Sequence, residues 1–309
     1  MIKKLYFIGI MLMLCLSSVF AADSSVYLIK ISGAIGPAIQ EYVGKGIVKA
    51  NQDNAAAIII QMDTPGGLSK SMRGIIKSIL ASSVPVIGYV GPSGARAASA
   101  GTYILYACNI AAMASGTNLG AATPVSIGGV GGTKKKPSAS EKKALNDAKA
   151  YIRSLATLRG RNIKWAEKAV SKAASLSATE ALKLKVINVI APDINQLLAK
   201  TGYKGANIIT VEHGWRYKFL SIITDPTIAY LLLIAGFYGL FFEFSSPGMV
   251  APGVLGGICL LVGLYGLQML PISFAGLGLI LLGMGLMVTE AYLPSFGIIG
   301  ISGLIALSE

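Results

Sequence analysis

Ser99, within the run Ser93-Gly94-Ala95-Arg96-Ala97-Ala98-Ser99-Ala100-Gly101-Thr102-Tyr103, is a hydroxyl nucleophile candidate. It stands where a loop of small residues turns into a helix. A helix N-terminus presents unpaired N–H groups, so an oxyanion formed beside it is stabilised. Gly66 and Gly67 close the turn Asp63-Thr64-Pro65-Gly66-Gly67 and can present further amides, because glycine allows a tight turn and close approach of the backbone. A serine needs a base, and the chain has one histidine, His213. The expected proton acceptor is therefore a lysine, whose amine becomes a usable base when burial disfavours the ammonium. Lys142, Lys143 and Lys149 lie on a helix expected over about 140–159, and helical periodicity alone does not choose among them. A Ser/His/Asp triad would need Asp63 or Asp147 to orient His213, for which a structural role is expected instead. No His, Cys or carboxylate cluster has metal-ligand spacing, so neither a metal nor a cofactor is expected.

The elements that must position these residues alternate short apolar strands with helices, the pattern of an α/β domain over about 23–205. Strands are expected at 26–31, 57–62, 85–90 and 109–113, and a helix with Ile35, Ile39, Val43 and Ile47 on one face follows the first of them. The nearly continuous apolar run Ala57–Met62 suits a sheet covered on both faces. Helices are expected at 68–83 and about 96–106. Ser177 and Glu180 have capping-box spacing and open a short helix leading into a strand over 186–190. The glycine-rich stretch 128–140 has no Gly-Lys-Ser/Thr, which excludes a phosphate loop. Residues 206–226 read as a connector.

Composition places this domain beside a membrane. The chain is 53% hydrophobic and carries a net charge of +13, with a mean hydropathy of +0.64. Residues 1–21 read as a signal peptide, with Lys3 and Lys4 before the apolar stretch Leu5–Leu16 and the exit Val19-Phe20-Ala21. No Lys or Arg occurs from Thr227 onward. Apolar runs at about 228–244, 254–270 and 272–289, with a further one from Phe296, approach the ~17–25 residues needed to cross a bilayer. Glycines in them, among them Gly256, Gly257 and Gly263, suit close helix packing. The lysines of the soluble part are scattered and lack interleaved aromatic residues, which argues against nucleic acid and for a solvated surface beside a lipid bilayer. Cys108 and Cys259 fall in different environments, so no disulfide is expected.

Met62–Gly67, Arg96–Tyr103, Gly120–Pro124, Lys143–Asp147, Ala150–Ala156, Ser177–Ile190, Pro247-Gly248 and Pro252-Gly253, taken in this order, are similar to the long-form NfeD proteins. These are membrane-bound serine proteases related to the Clp protease catalytic subunit and encoded beside stomatin-like proteins. The resemblance implies a crotonase-like or Clp-protease-like fold of strand–strand–helix units, followed by an α-helical transmembrane region over 227–309. It implies Ser99 as catalytic serine, Lys143 as dyad lysine, and oxyanion-hole amides from Gly67, Gly66 and Ala100. It also implies a homodimeric protease domain and an apolar segment of a stomatin-like membrane protein as substrate, while the signal peptide alone puts that domain outside the cytoplasm, in the periplasm of a multi-pass inner-membrane protein. Lys185 stands where the family pattern has glycine, and strain is expected at that helix end. The C-terminal OB-like domain of the family lies outside the sequence as it runs to Glu309. An alternative reading is a catalytically silent scaffold for a stomatin-like partner. Acyl-CoA chemistry on the same fold is disfavoured by the signal peptide.

Overall fold

The apolar runs pair as an all-parallel sheet. In the computed structural model, which describes residues 25–124, 138–245 and 251–267, the strands are β1 (Ser25–Ser32), β2 (Ala57–Asp63), β3 (Val86–Val90), β5 (Ile110–Met113), β8 (Val189–Ile190) and β9 (Asn207–Thr210). Their order across the sheet is β8-β5-β3-β2-β1-β9. The expected signal peptide, residues 125–137, which hold all of the glycine-rich stretch but Ser138–Ser140, and the apolar runs beyond residue 267 lie outside the described residues.

Side chains alternate between two cores, as the pleat requires. Tyr27, Ile29, Ile31, Ile58, Ile60 and Met62 point to one face. That layer holds helices α1 (Pro37–Gln52), α2 (Ser69–Leu80), α3 (Ala100–Ala107), α4 (Ala139–Leu158) and α5 (Ile163–Ser171). Val26, Leu28, Ile59 and Ile87 point to the other, where Leu197 and Leu198 of α7 (Ile194–Thr201) cover them. Burial on both faces is why β2 reads as an unbroken apolar run rather than an alternating one.

A second, small sheet carries β4 (Arg96–Ala98), β6 (Asn118–Gly120) and β7 (Ser175–Ser177) in the order β4-β6-β7. Two strand–strand–helix units result, β3-β4-α3 and β5-β6-α4. Residues 96–98, expected in a helix, are a strand, which leaves Ser99 at the strand-to-helix turn itself. The capping box at Ser177 and Glu180 is formed and opens α6 (Ala178–Lys183). The strand that follows is only two residues long. Residues 207–210, assigned to the connector, form β9 and pair with β1, so the sheet extends past residue 205.

Two compact units are resolved, Met1–Tyr217 and Lys218–Glu309. Helix α8 (Trp215–Ile223) falls at the division between them. In the second unit, α9 (Pro226–Ser245) and α10 (Ala251–Gly266) pack antiparallel. A Cβ on Gly236 would lie 2.7 Å from the Leu260 amide, one on Gly256 2.8 Å from the Leu240 amide, and one on Gly263 3.0 Å from the Ala229 carbonyl. The glycines therefore set the helix separation. Gly257, grouped with them by sequence, faces open space. Thr227–Ser245 is long and apolar enough to cross a membrane; Pro252–Gly266 is a shorter apolar helix.

Candidate active site

The carboxyl ends of β1, β2, β3 and β5 are level, since Ser32 pairs with Asp63, Met62 with Val90, and Val90 with Met113. The loops leaving these ends, residues 64–68 and 91–95 among them, therefore gather on one edge of the sheet. Ligands of open parallel sheets bind at such an edge. Ser99 sits there.

Ser99 adopts φ 51° and ψ −114° immediately before α3. For a residue with a Cβ this region costs on the order of 1–3 kcal/mol and persists only where the surroundings enforce it. Those surroundings are identifiable. The Ser99 amide donates to the Gly120 carbonyl (2.8 Å), and the Ser99 carbonyl accepts from the Thr102 amide (3.0 Å). Thr102, fully buried, has its hydroxyl 2.8 Å from the Ala97 carbonyl and 3.0 Å from that of Gly120, and it accepts from the Gly120 amide (3.0 Å). One threonine thus ties the residues before Ser99 to β6.

The glycine turn is fastened to the same strand. The Thr64 amide donates to the Arg96 carbonyl (2.7 Å), and the Ala98 amide donates to the Thr64 carbonyl (3.1 Å). A Cβ on Gly66 would stand 2.6 Å from Ser99 Cβ, and one on Gly67 2.2 Å from the Ile35 carbonyl oxygen. Both positions have positive φ, 118° and 153°, so glycine is required twice over. The two amides differ. That of Gly66 donates to Thr64 Oγ1 (3.1 Å). Gly67 bridges Ile35 in parallel, and the flanking Gly66 carbonyl and Leu68 amide make the two bonds to Ile35. The Gly67 N–H, pointing to the other side, has no acceptor among the described residues, and neither has that of Ala100 at the start of α3.

Helix α4 carries the candidate lysines. Tyr151 of α4 stacks on Tyr103 of α3 at 6.1 Å, and Arg159 Nε donates to the Ala107 carbonyl (2.8 Å). The two helices therefore run in the same direction, so that Asp147 and Lys143 lie on successive turns of α4 toward the end at which Ser99 begins α3. Positions 143, 147 and 151 form one stripe at i, i+4 spacing. Lys142 and Lys149 are off that stripe. The fully buried residues of α4, Ile152, Leu155 and Ala156, all lie in its second half, while Leu145 and Ala148 are only partly buried against the core. Lys143 is exposed, and no hydrogen bond joins it to Ser99 among the described residues.

The alternative triad has no geometry to support it. His213 stacks on Tyr42 at 4.4 Å and lies tilted against Tyr217 at 4.2 Å. Asp63 accepts from the Arg96 amide (3.1 Å), and Asp147 pairs with Arg73. Among the described residues no group of His, Cys, Asp and Glu can hold a metal ion. Cys108 and Cys259 are free thiols. Sequence reasoning missed Thr64, Thr102 and Arg73, because nothing in the local pattern marks a polar residue that works through long-range contacts.

Residues 25–211 match the family described as NfeD1b, N-terminal domain, and residues 227–308 match the NfeD integral membrane domain. The chain belongs to the NfeD family. This NfeD protein is 38% identical, over 96% of its length and 70% of the relative's, to the "Membrane-bound protease PH1510" of Pyrococcus horikoshii. It is 31% identical, over 93% of its length and 66% of the relative's, to the "Membrane protein NfeD1b" of Bacillus subtilis. Among solved structures it is similar to a serine-to-alanine mutant of the 1510-N membrane-bound stomatin-specific protease. That match has 38% identity and a TM-score of 0.59, and covers 62% of this NfeD chain and 100% of the other. A lysine-to-alanine mutant of 1510-N, in complex with a substrate peptide, matches with 40% identity and a TM-score of 0.59, over 66% and 99% of the two chains.

Proposed function

We propose that the chain is a membrane-anchored serine endopeptidase whose first unit, with β9 included, is a Clp-protease-like domain. Ser99 is the nucleophile, Lys143 the general base, and the N–H groups of Gly67 and Ala100 form the oxyanion hole. Gly66, its amide spent on Thr64, is there to let the turn approach Ser99. The observation that carries this reading is the strained backbone of Ser99 at a helix N-terminus, packed against a glycine turn with a free amide.

In the reaction Lys143, as the free amine, takes the Ser99 hydroxyl proton while the oxygen attacks the peptide carbonyl. The two amides hold the negative oxygen, a contribution of roughly 2.7–4 kcal/mol per donor in comparable sites. The protonated amine then gives its proton to the leaving nitrogen, and as a free amine again it activates the water that releases the acyl enzyme. The long flexible stem of lysine supplies the reach from its turn of α4 toward Ser99. Its exposure sets a condition: the amine loses its water only when substrate fills the cleft.

The substrate class we assign is an apolar segment of a stomatin-like membrane protein, a reading supported by similarity to the stomatin-specific protease 1510-N. The protease domain is placed on the extracytoplasmic side and forms a homodimer, with the membrane unit multi-pass in the inner membrane. Cleavage of an apolar stomatin-derived peptide by the full chain should disappear with Ser99→Ala and with Lys143→Ala, and survive Lys142→Ala. Unchanged hydrolysis by Ser99→Ala would refute the assignment. The exposure of Lys143 favours a second reading, a silent scaffold that binds the stomatin-like protein. Retained binding with no turnover by the unmodified chain would establish that one instead.

A further inference from the structure

We infer that Arg73 is a positioning residue of this site: it clamps the helix bearing Lys143 and takes up the Asp147 carboxylate that would otherwise pair with that lysine. The inference rests on the serine–lysine reading above.

Arg73 lies on α2, six residues after Gly67 and in the second turn of the helix that begins at Ser69. Its Nη2 stands 2.5 Å from Asp147 Oδ2, and its guanidinium carbon lies 4.1 Å from the centre of the Tyr151 ring. One side chain therefore grips two successive turns of α4, both on the stripe that continues to Lys143. Tyr151 in turn lies against Tyr103, one turn into the helix that Ser99 begins. The oxyanion turn, the nucleophile helix and the base helix thus meet through a single guanidinium. A planar fork that both pairs with a carboxylate and stacks on a ring is chemistry arginine has and lysine lacks.

The clamp has an electrostatic consequence. Lys143 and Asp147 are i, i+4 neighbours, a spacing at which a carboxylate favours the ammonium form. A general base must be without its proton. With Asp147 engaged by Arg73, that carboxylate is offset. Arg73 and Asp147 are both substantially exposed, at 40% and 66%, so their pairing contributes little to stability. The effect should therefore appear in the pH profile and not in melting. The other charged groups along these helices, Lys70 of α2 and Glu141, Lys142, Lys149 and Arg153 of α4, are unchanged in every variant, as is the Tyr103 phenol of α3.

The test is the pH dependence of kcat/KM for the full chain, in detergent, on a quenched-fluorescence apolar peptide copied from a stomatin-like protein. In Arg73→Gln the acidic limb should move about 0.5–1 pH unit upward. Adding Asp147→Asn should return it to its original position. Arg73→Lys, which keeps the charge but loses the fork, should leave the limb in place while kcat falls, and it serves if Arg73→Gln does not fold. An unmoved limb in Arg73→Gln, a limb that Asp147→Asn does not restore, or an unchanged kcat in Arg73→Lys overturns the inference. If Ser99→Ala or Lys143→Ala retains activity, the serine–lysine reading fails and this inference with it, a result separate from any Arg73 outcome.

Discussion

Gly66 and Ser99 face each other so closely that a methyl group on the glycine would stand 2.6 Å from the serine Cβ and 3.1 Å from its hydroxyl oxygen. The contact binds the glycine turn to the proposed nucleophile without a hydrogen bond between the two residues. Gly66→Ala must push Ser99 aside or open the turn, and it also strains a backbone at φ 118°. Displacement of about 1 Å at a reacting group costs on the order of 100-fold in rate. Peptide hydrolysis should fall by at least that factor, with the far-ultraviolet circular dichroism of the full chain preserved.

Thr102→Val keeps the shape of the side chain and removes the hydroxyl. The Gly120 amide, buried beneath α3, then has lost its acceptor. Leaving such a group unpaired costs about 1–3 kcal/mol, and in a unit of this size each kcal/mol lowers Tm by roughly 2–4 °C. Differential scanning fluorimetry should record that drop, and Thr102→Ser should recover most of it.

Lys185 ends the turn after α6 at φ 56°, the strain expected from a lysine where the family pattern has glycine. Relief of a left-handed side chain returns about 1–2 kcal/mol, against 0.5–1 kcal/mol lost to the greater freedom of glycine in the unfolded chain. Lys185→Gly should therefore stabilise the protein by about 0.5–1 kcal/mol in urea denaturation. Lys185→Ala, which removes the charge and keeps the Cβ, should give no such gain.

Cys108 is fully buried, and burial pushes its thiol up to about 12 from an ordinary value near 9. The neutral thiol is the same in both states below pH 9. Above it the unfolded chain loses the proton and the folded chain keeps it, so stability falls as pH rises. The slope for one proton is about 1.4 kcal/mol per pH unit. Between pH 9 and 10 the unfolding free energy of the unmodified protein should decline relative to that of Cys108→Ala. Parallel curves would contradict a buried, neutral thiol.

Much of this protein can be read from its chain alone. The apolar runs of β1, β2 and β3 announce a sheet covered on both faces, since no polar side appears in them. Ser177 and Glu180 mark a helix start because a capping box is local chemistry. Small residues around Ser99, glycines at 66 and 67, and a near absence of histidine are what the proposed serine with a lysine base rests on in the sequence. The tail without Lys or Arg marks the membrane region, for which Thr227–Ser245 has the required length.

What the chain could not specify depends on contacts between distant residues. Strands β6, β7 and β9 are three or four residues long and exist because β4, β6 and β1 supply their hydrogen bonds. Periodicity left three lysines equal; the contact of Tyr151 with Tyr103 settles only that the stripe of positions 143, 147 and 151 is the one turned toward α3. Residue type made Gly66 and Gly67 equivalent, and the hydroxyl of Thr64 separates them by taking the first amide. Side-chain character is written locally, but direction, pairing and exposure are settled only when the sheet edge brings its loops together.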